Sequence, residues 1–408
     1  MIRKIFLLVL IIFSIILCGL GVFSKRNEKK EFVFWTIQLK GVADELIEEN
    51  ISQFKLKHPD VNVVWIDIPI AETQKRILAS TLSSTPPDLV NLNPDFSSVL
   101  AKKDALEFID DDKLTQFHPE ILNILKYQNK VFGIPFYGTS SITLYNKEIF
   151  EKSGVEKAPK TYDELYKISD KFSKIGKYAL SINLNENDTF SKILNKYDVY
   201  NSETIENGAL EPYKLFKNFY SKNYIAKESL TLNHREIVEK YMAENSAMIV
   251  VGANFVKMVK ESAPDVYKKS AVSAQLVGAN GRFDVGLMNL VIPKKAKNKD
   301  LALEFALQLT NKENQLNLSK LTSVLPVNKY ALEDNYFKKT KSNDPLELAR
   351  VVGASQLGNL VQKDFGYTHK KSINDIINKT LENCLILNRD IKEEMQILAD
   401  MVENFERE

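Results

Sequence analysis

Polar side chains stand where strand-like runs end, and their types suit hydrogen bonding more than bond making. Asn91, Asn93 and Asp95 close the run that starts at Asp88, Gln38 and Lys40 follow Phe32 to Trp35, and Asn254 follows Ala247 to Gly252. A carboxylate such as Asp95 accepts charge-assisted hydrogen bonds, about twice as strong as neutral ones. Asn-Pro-Asp is also ordinary turn chemistry, and an exposed amide or lysine such as Gln38 or Lys40 is ordinarily just solvated. Signatures of catalysis are missing: no Walker A loop, GxGxxG, HExxH, GxSxG or EF-hand spacing occurs. His58, His118, His234 and His369 are scattered, which gives no zinc spacing. Asp110-Asp111-Asp112 lacks the glycine and glutamate of a calcium loop and reads as a solvated turn. Cys18 and Cys384 form no CxxC motif. These residues imply no metal and no cofactor.

The elements that must hold these residues alternate. The 408 residues are 44% hydrophobic and 26% charged, a globular composition long enough for two or three domains or one body of two lobes. Basic and acidic residues nearly cancel, 55 against 53, so charge gives no case for nucleic acid as a partner. Phe32 to Trp35 reads as a buried strand, Val42 to Phe54 as a helix, Val61 to Ile66 as a strand, Ile77, Leu78 and Leu82 as a helix, and Asp88 to Leu92 as a strand. That order predicts a parallel sheet with helices on its faces, an α/β fold. Thr161 and Glu164 form a capping box, and Asn298 is placed to cap the helix carrying Phe305. A loop is expected at Gly252, a hairpin or sheet-entry turn at Asn280-Gly281, and one helical stretch from about Ser372 to Phe405. Trp35 and Trp65, the only tryptophans, read as core residues.

Residues 1–24 read as a signal peptide or membrane anchor and 25–30 as a linker. Arg3 and Lys4 precede Ile5 to Phe23, long enough for about one bilayer crossing. Three fates follow: lipidation at Cys18, despite Leu17 where a small residue is usual; cleavage after Ser24; or no cleavage. All three place the remaining chain outside the cytoplasm.

Read in order, several motifs resemble the extracellular solute-binding proteins of bacterial ABC sugar importers, the maltose-binding-protein-like family. They are Phe34-Trp35-Thr36, His58-Pro59-Asp60-Val61, Pro86-Pro87-Asp88-Leu89, Ile134-Pro135-Phe136-Tyr137-Gly138, Leu144-Tyr145-Asn146-Lys147, Pro159 to Leu165, and Ala247 to Gly252. The resemblance spans about residues 32–330. It implies a two-lobe periplasmic-binding-protein-like fold with a multi-crossover hinge. Residues 31–139 plus 287–326 would form lobe one, and 140–286 plus 327–408 lobe two. Ser141, Gly286 and Asn289 would lie in the hinge, with a third crossing near Leu325 to Asn328. Ligand would sit between the lobes against Gln38, Lys40, Asn91, Asn93, Asp95, Tyr137, Gly138, Thr139, Gly252 and Asn254. Asp95 falls where the family often places a carboxylate that accepts sugar hydroxyls. Tyr137 would stack on a pyranose or pack in the hinge. Asn254 stands where some relatives carry a tryptophan, which removes a stacking surface and favours a small or unusually polar ligand.

The implied function is an extracytoplasmic receptor, monomeric and tethered at its N-terminus, that hands a carbohydrate or polyol to a permease with its own ATPase. It would not be an enzyme. The alternatives are a secreted glycosidase, which needs two carboxylates about 5 to 9.5 Å apart, and a membrane-tethered adhesin.

Overall fold

The structure, a computed structural model, describes residues 29–407 except 70, 71, 73–75, 78, 81, 82, 187, 362–364 and 366–368. The expected leader with Cys18 lies outside the described residues, as does part of the helix expected at Ile77 to Leu82.

Strands β1 (Lys30–Ile37) and β2 (Val61–Ile68) run parallel from Lys30↔Val61 to Ile37↔Ile68, with α1 (Asp44–Lys57) as their crossover. Alternation buries Phe32, Phe34 and Thr36 on one face of β1 and leaves Val33, Trp35 and Ile37 half-buried on the other. Strand β3 (Leu89–Leu92), parallel to β1, is buried at every position, as a strand covered on both faces must be. Asn93 then caps α2 (Pro94–Lys102) by accepting the Phe96 N–H at 2.8 Å.

The long strand β4 (Ile134–Asn146) leads into the rest of the chain: α3 (Tyr162–Ser173), β5 (Tyr178–Ser181), α4 (Thr189–Asn195), α5 (His234–Met242), β6 (Ser246–Gly252), α6 (Ala253–Ser262) and β7 (Ser270–Ala274). Strand β8 (Val285–Val291) returns to the first region, followed by α7 (Lys299–Leu309). Helices α8 (Pro345–Gln356), α9 (Lys370–Leu385) and α10 (Ile391–Arg407) complete the chain. The sheet order is β2-β1-β3-β8-β4-β6-β5, with β7 also paired to β4.

β4 belongs to two environments. Residues 134–140 pair antiparallel with β8, whereas 141–146 pair with β6 and β7. The cores divide at the same place. One gathers Phe32, Phe34 and Phe54 around Phe305, with ring centroids 5.0 to 5.6 Å apart, and takes in Leu290, Val327 and Leu360. Another gathers Phe190, Tyr213 and Phe216 with Ile377 and Leu398 of the C-terminal helices. A third packs Ile142 and Leu144 of β4 on Ile237 and Val256.

Several local expectations are corrected. Gly252 opens no loop; it is itself the N-cap of α6, so strand runs directly into helix. Asn298 does not cap α7, because its amide instead donates to the Glu31 carbonyl at 2.8 Å and to Asp88 at 3.1 Å, tying β1 to the β3 entry. Of the two alternatives at Asn280-Gly281, the sheet-entry turn holds: with Gly281 at φ +69° it feeds β8 into the first region's sheet, and no hairpin forms. The C-terminal helix breaks at 386–390, with Asn388 at φ +53°, and Met401 faces solvent. The capping box is half made: Thr161 Oγ1 accepts the Glu164 N–H at 3.0 Å, but Glu164 reaches back to Lys160 at 2.7 Å.

Candidate ligand-binding cleft

Two adjoining cavities lie where the regions face each other, and both are walled by Asp188, Lys192 and Asp284. The outer one, about 420 Å³, is lined from both regions: Asn93 and Asp95 at the start of α2, Gly286 and Leu287 of β8, and Lys370 at the start of α9. The inner one, about 250 Å³, lies within the second region and adds Ser141, Asn183, Glu186, Lys196 and His234.

Ionic groups stand among apolar side chains on these walls. Lys196, its side chain 3% exposed, places Nζ 2.6 Å from Asp284, 2.7 Å from Gln275 Oε1 and 2.9 Å from the Leu276 carbonyl. Burial would raise the Asp284 carboxyl, but Lys196 and Lys192 together hold it below its ordinary value. One turn of α4 pairs Lys192 with Asp188 at 3.1 Å. Lys370 spans the cleft, 3.0 Å from Asp95 on one side and 4.0 Å from Asp188 on the other. Asp95 stands in the first turn of α2, where the helix dipole favours a carboxylate.

Of the residues anticipated from sequence, Asn93, Asp95, Ser141 and Gly286 line these cavities. Asn91 lies behind the wall, fully buried, with Nδ2 on the Asn289 carbonyl at 3.3 Å; Asn289 in turn accepts Ser97 Oγ at 3.1 Å. Both sit in central strands, and each satisfies one polar atom, Asn91 on the neighbouring strand and Asn289 on helix α2, while Asn91 Oδ1 and Asn289 Nδ2 are buried without a partner among the described residues. Gly138 and Leu325 exchange backbone hydrogen bonds at 2.9 and 2.7 Å, joining β4 to the return segment. Thr139 is exposed and pairs with Gly286; a Cβ there would collide with Thr139 Oγ1. Asn254 is exposed beside Gly252 on α6.

Gln38 and Lys40 belong to a separate network at the end of β1. The Asp67 carboxylate accepts Thr36 Oγ1 at 2.5 Å, the Leu39 N–H at 3.0 Å and the Lys40 N–H at 3.3 Å. Trp65 donates to Thr36 at 2.7 Å, and Lys40 Nζ lies 5.0 Å from the Trp65 ring centre. This holds Gln38, exposed, at φ +51°. Trp65 is thus half-buried with a polar role, not simply a core residue. Tyr137 is buried, and burial, with the Asp67 charge adding, pushes its hydroxyl up to about 12.

Sequence reading missed Glu186, Asp188, Lys192, Lys196, Asp284 and Lys370. Only the Asp188 and Lys192 spacing, i and i+4, was a local signal; the other pairs join residues 88 or more positions apart. No group of three His, Cys, Asp or Glu among the described residues could hold a metal ion.

A model of the bacterial extracellular solute-binding protein family matches residues 38–316. The chain belongs to that family. Family members are binding proteins, which agrees with a cleft built of hydrogen-bonding groups and without a catalytic signature. An arabinooligosaccharide-binding protein of Bacillus subtilis (strain 168) is 21% identical over 323 residues, 74% of each chain. A binding protein of Brucella abortus (strain 2308) is 23% identical over 309 residues, 71% of this chain and 74% of its own. The solute-binding fold is matched across 92% of this chain by the sugar-binding protein MalE of Xanthomonas citri, covering 97% of that chain, with a TM-score of 0.77 at 18% identity. A periplasmic-binding protein of Synechococcus sp. MITs9220 gives 0.82 at 21% identity, over 92% of this chain and 98% of its own.

Proposed function

We propose that this solute-binding protein captures a carbohydrate or polyol outside the cytoplasm and passes it, unaltered, to the permease of an ABC importer. The observation that carries this reading is a polar cleft whose walls come from two separately cored regions joined by the shared strand β4. Such a cleft surrounds a hydroxylated ligand with donors and acceptors, and closure removes both from water. The arabinooligosaccharide-binding relative supports the ligand class. Residues 31–139 plus 287–326 and residues 140–286 plus 327–408 are the two lobes in this reading, except that Val327 and Leu360 pack back into the first core, with Ser141 and Gly286 at the bend and the protein acting as a monomer. Asn93 and Asp95 contact ligand from lobe one, and Asp188, Lys192 and Lys370 from lobe two.

A thermal-shift screen tests this. A ligand that binds only the folded state at about 100 times its Kd stabilises it by about 2.7 kcal/mol. A saccharide should raise the melting temperature and be recovered intact; a shift given only by amino acids, peptides or metals, or turnover of the sugar, overturns the reading. The receptor is tethered through a lipidated Cys18, which keeps it near its permease at raised effective concentration. No helix among the described residues is long and apolar enough to cross a membrane. Intact mass of the membrane-extracted protein should show a chain starting at acylated Cys18; a start at Lys25, or retention of Arg3 and Lys4, rejects lipidation.

A further inference from the structure

The charges facing the inner cavity do not balance. Three carboxylates, Glu186, Asp188 and Asp284, and two lysines, Lys192 and Lys196, line it. Each lysine is already matched, Lys192 to Asp188 at 3.1 Å and Lys196 to Asp284 at 2.6 Å. Lys370, from the outer cavity, sits between Asp95 and Asp188. Glu186 accepts a hydrogen bond from the neutral amide of Asn183, and no lysine, arginine or histidine among the described residues lies within ion-pair distance of it. His234, on the same wall, packs its ring edge-on to Phe255 at 4.5 Å. Burial lowers its pKa, with Glu186 pulling the other way.

A carboxylate left against a partly enclosed cavity loses hydration when the cleft closes unless the incoming molecule replaces it. A sugar hydroxyl replaces the hydrogen bond. An ammonium replaces the bond and the missing charge, while an anionic group meets repulsion. The one aromatic side chain on this wall besides histidine, Tyr162, is 3% exposed, so little ring face is available to select ligands by stacking.

We infer that the inner cavity receives a positively charged saccharide, an amino sugar or its short oligomer, with the ammonium group on Glu186. This rests on the receptor reading above and names the ligand class for the same cleft. The test is calorimetric titration of the full chain, at neutral pH, with matched sets: glucosamine, N-acetylglucosamine and glucose, the galactose equivalents, and their dimers and trimers. The free amine should bind about tenfold tighter than its N-acetyl and hydroxyl counterparts, the difference between a charged and a neutral hydrogen-bond partner. That preference should shrink as salt is added. In E186Q it should fall to within about twofold, since glutamine keeps the Asn183 hydrogen bond and removes only the charge. A melting curve of E186Q matching the parent's shows that the change is local. Tighter binding of a neutral or N-acetylated sugar, or a preference that survives E186Q, overturns this inference and leaves the receptor reading standing. If no saccharide of any kind binds, both fall.

Discussion

The first region meets the cavities through the first turn of α2 and residues 123–126, whereas the second meets them through side chains carried on α4, α5, α9, the segment before α4 and the segment entering β8. Asn93 and Asp95 are placed by backbone: Asn93 caps a helix that must start where β3 ends. Lys196, Asp284 and Lys370 are placed by one another, through ion pairs between distant parts of the chain. The contrast also appears in burial. The Lys196 side chain is 3% exposed and Asp284's 24%, whereas across the cleft Asp95 is 43% exposed. One pair is part of the second wall's structure. The other has one open member, Asp95, whose carboxylate water and salt can reach, while its partner Lys370 is 13% exposed.

The largest effect should come from breaking the inner pair. Lys196→Met takes away the direct ion-pair partner of Asp284 and leaves only the more distant charge of Lys192, so urea unfolding should show a loss of about 3 kcal/mol. The double variant Lys196→Met with Asp284→Asn should recover much of that loss, because it removes both charges. A single variant as stable as the parent would mean that this wall is not held by its ion pair. Next comes the seam between the walls. Gly286→Ala puts a methyl group against the Thr139 hydroxyl, and because both residues are exposed and the hydroxyl can rotate away, the cost should be about 1 kcal/mol or less. Adding Thr139→Ala should relieve it; if it does not, the cost arises elsewhere in β8. The smallest effect on folding belongs to the cross-cleft pair. Asp95→Ala should change stability by less than about 1 kcal/mol in ligand-free protein, yet weaken ligand by about 1.5 to 3 kcal/mol. Unchanged affinity would remove Asp95 from the site, and a large fall in melting temperature would make it a structural turn residue.

Much of the first region was legible because its elements follow local rules. Phe32, Phe34, Val61 and Val63 alternate as strand residues should, whereas Asn-Pro-Asp, read as turn chemistry, starts helix α2. The α/β class and the family motifs followed from the same patterns. The cleft was legible where backbone sets it, at Asn93, Asp95, Ser141 and Gly286. It was not legible where charge sets it: Lys370 reaches Asp95 across 275 positions, and a lysine at the first position of α9 looks, from sequence, like any solvated lysine. Asn298 misled for a related reason. Its composition says helix cap, but Glu31 and Asp88, far away in sequence, offer its amide better partners.

The position of β8 has a consequence for how the chain is made. β3 and β4 meet only through β8, and β8 begins at Val285, after the whole second region up to β7 has been synthesised. Phe305, around which Phe32, Phe34 and Phe54 pack, comes later still. Until then the earliest strands have neither their neighbour nor their central ring, and two sheet edges stay open to wrong partners. Closing contacts over more than 150 positions is slow, since the loop's entropy is lost before the contacts form. The first region therefore lacks its completed sheet and the centre of its core until most of the chain has been made, a long interval in which a chaperone can hold it or a narrow pore can thread it.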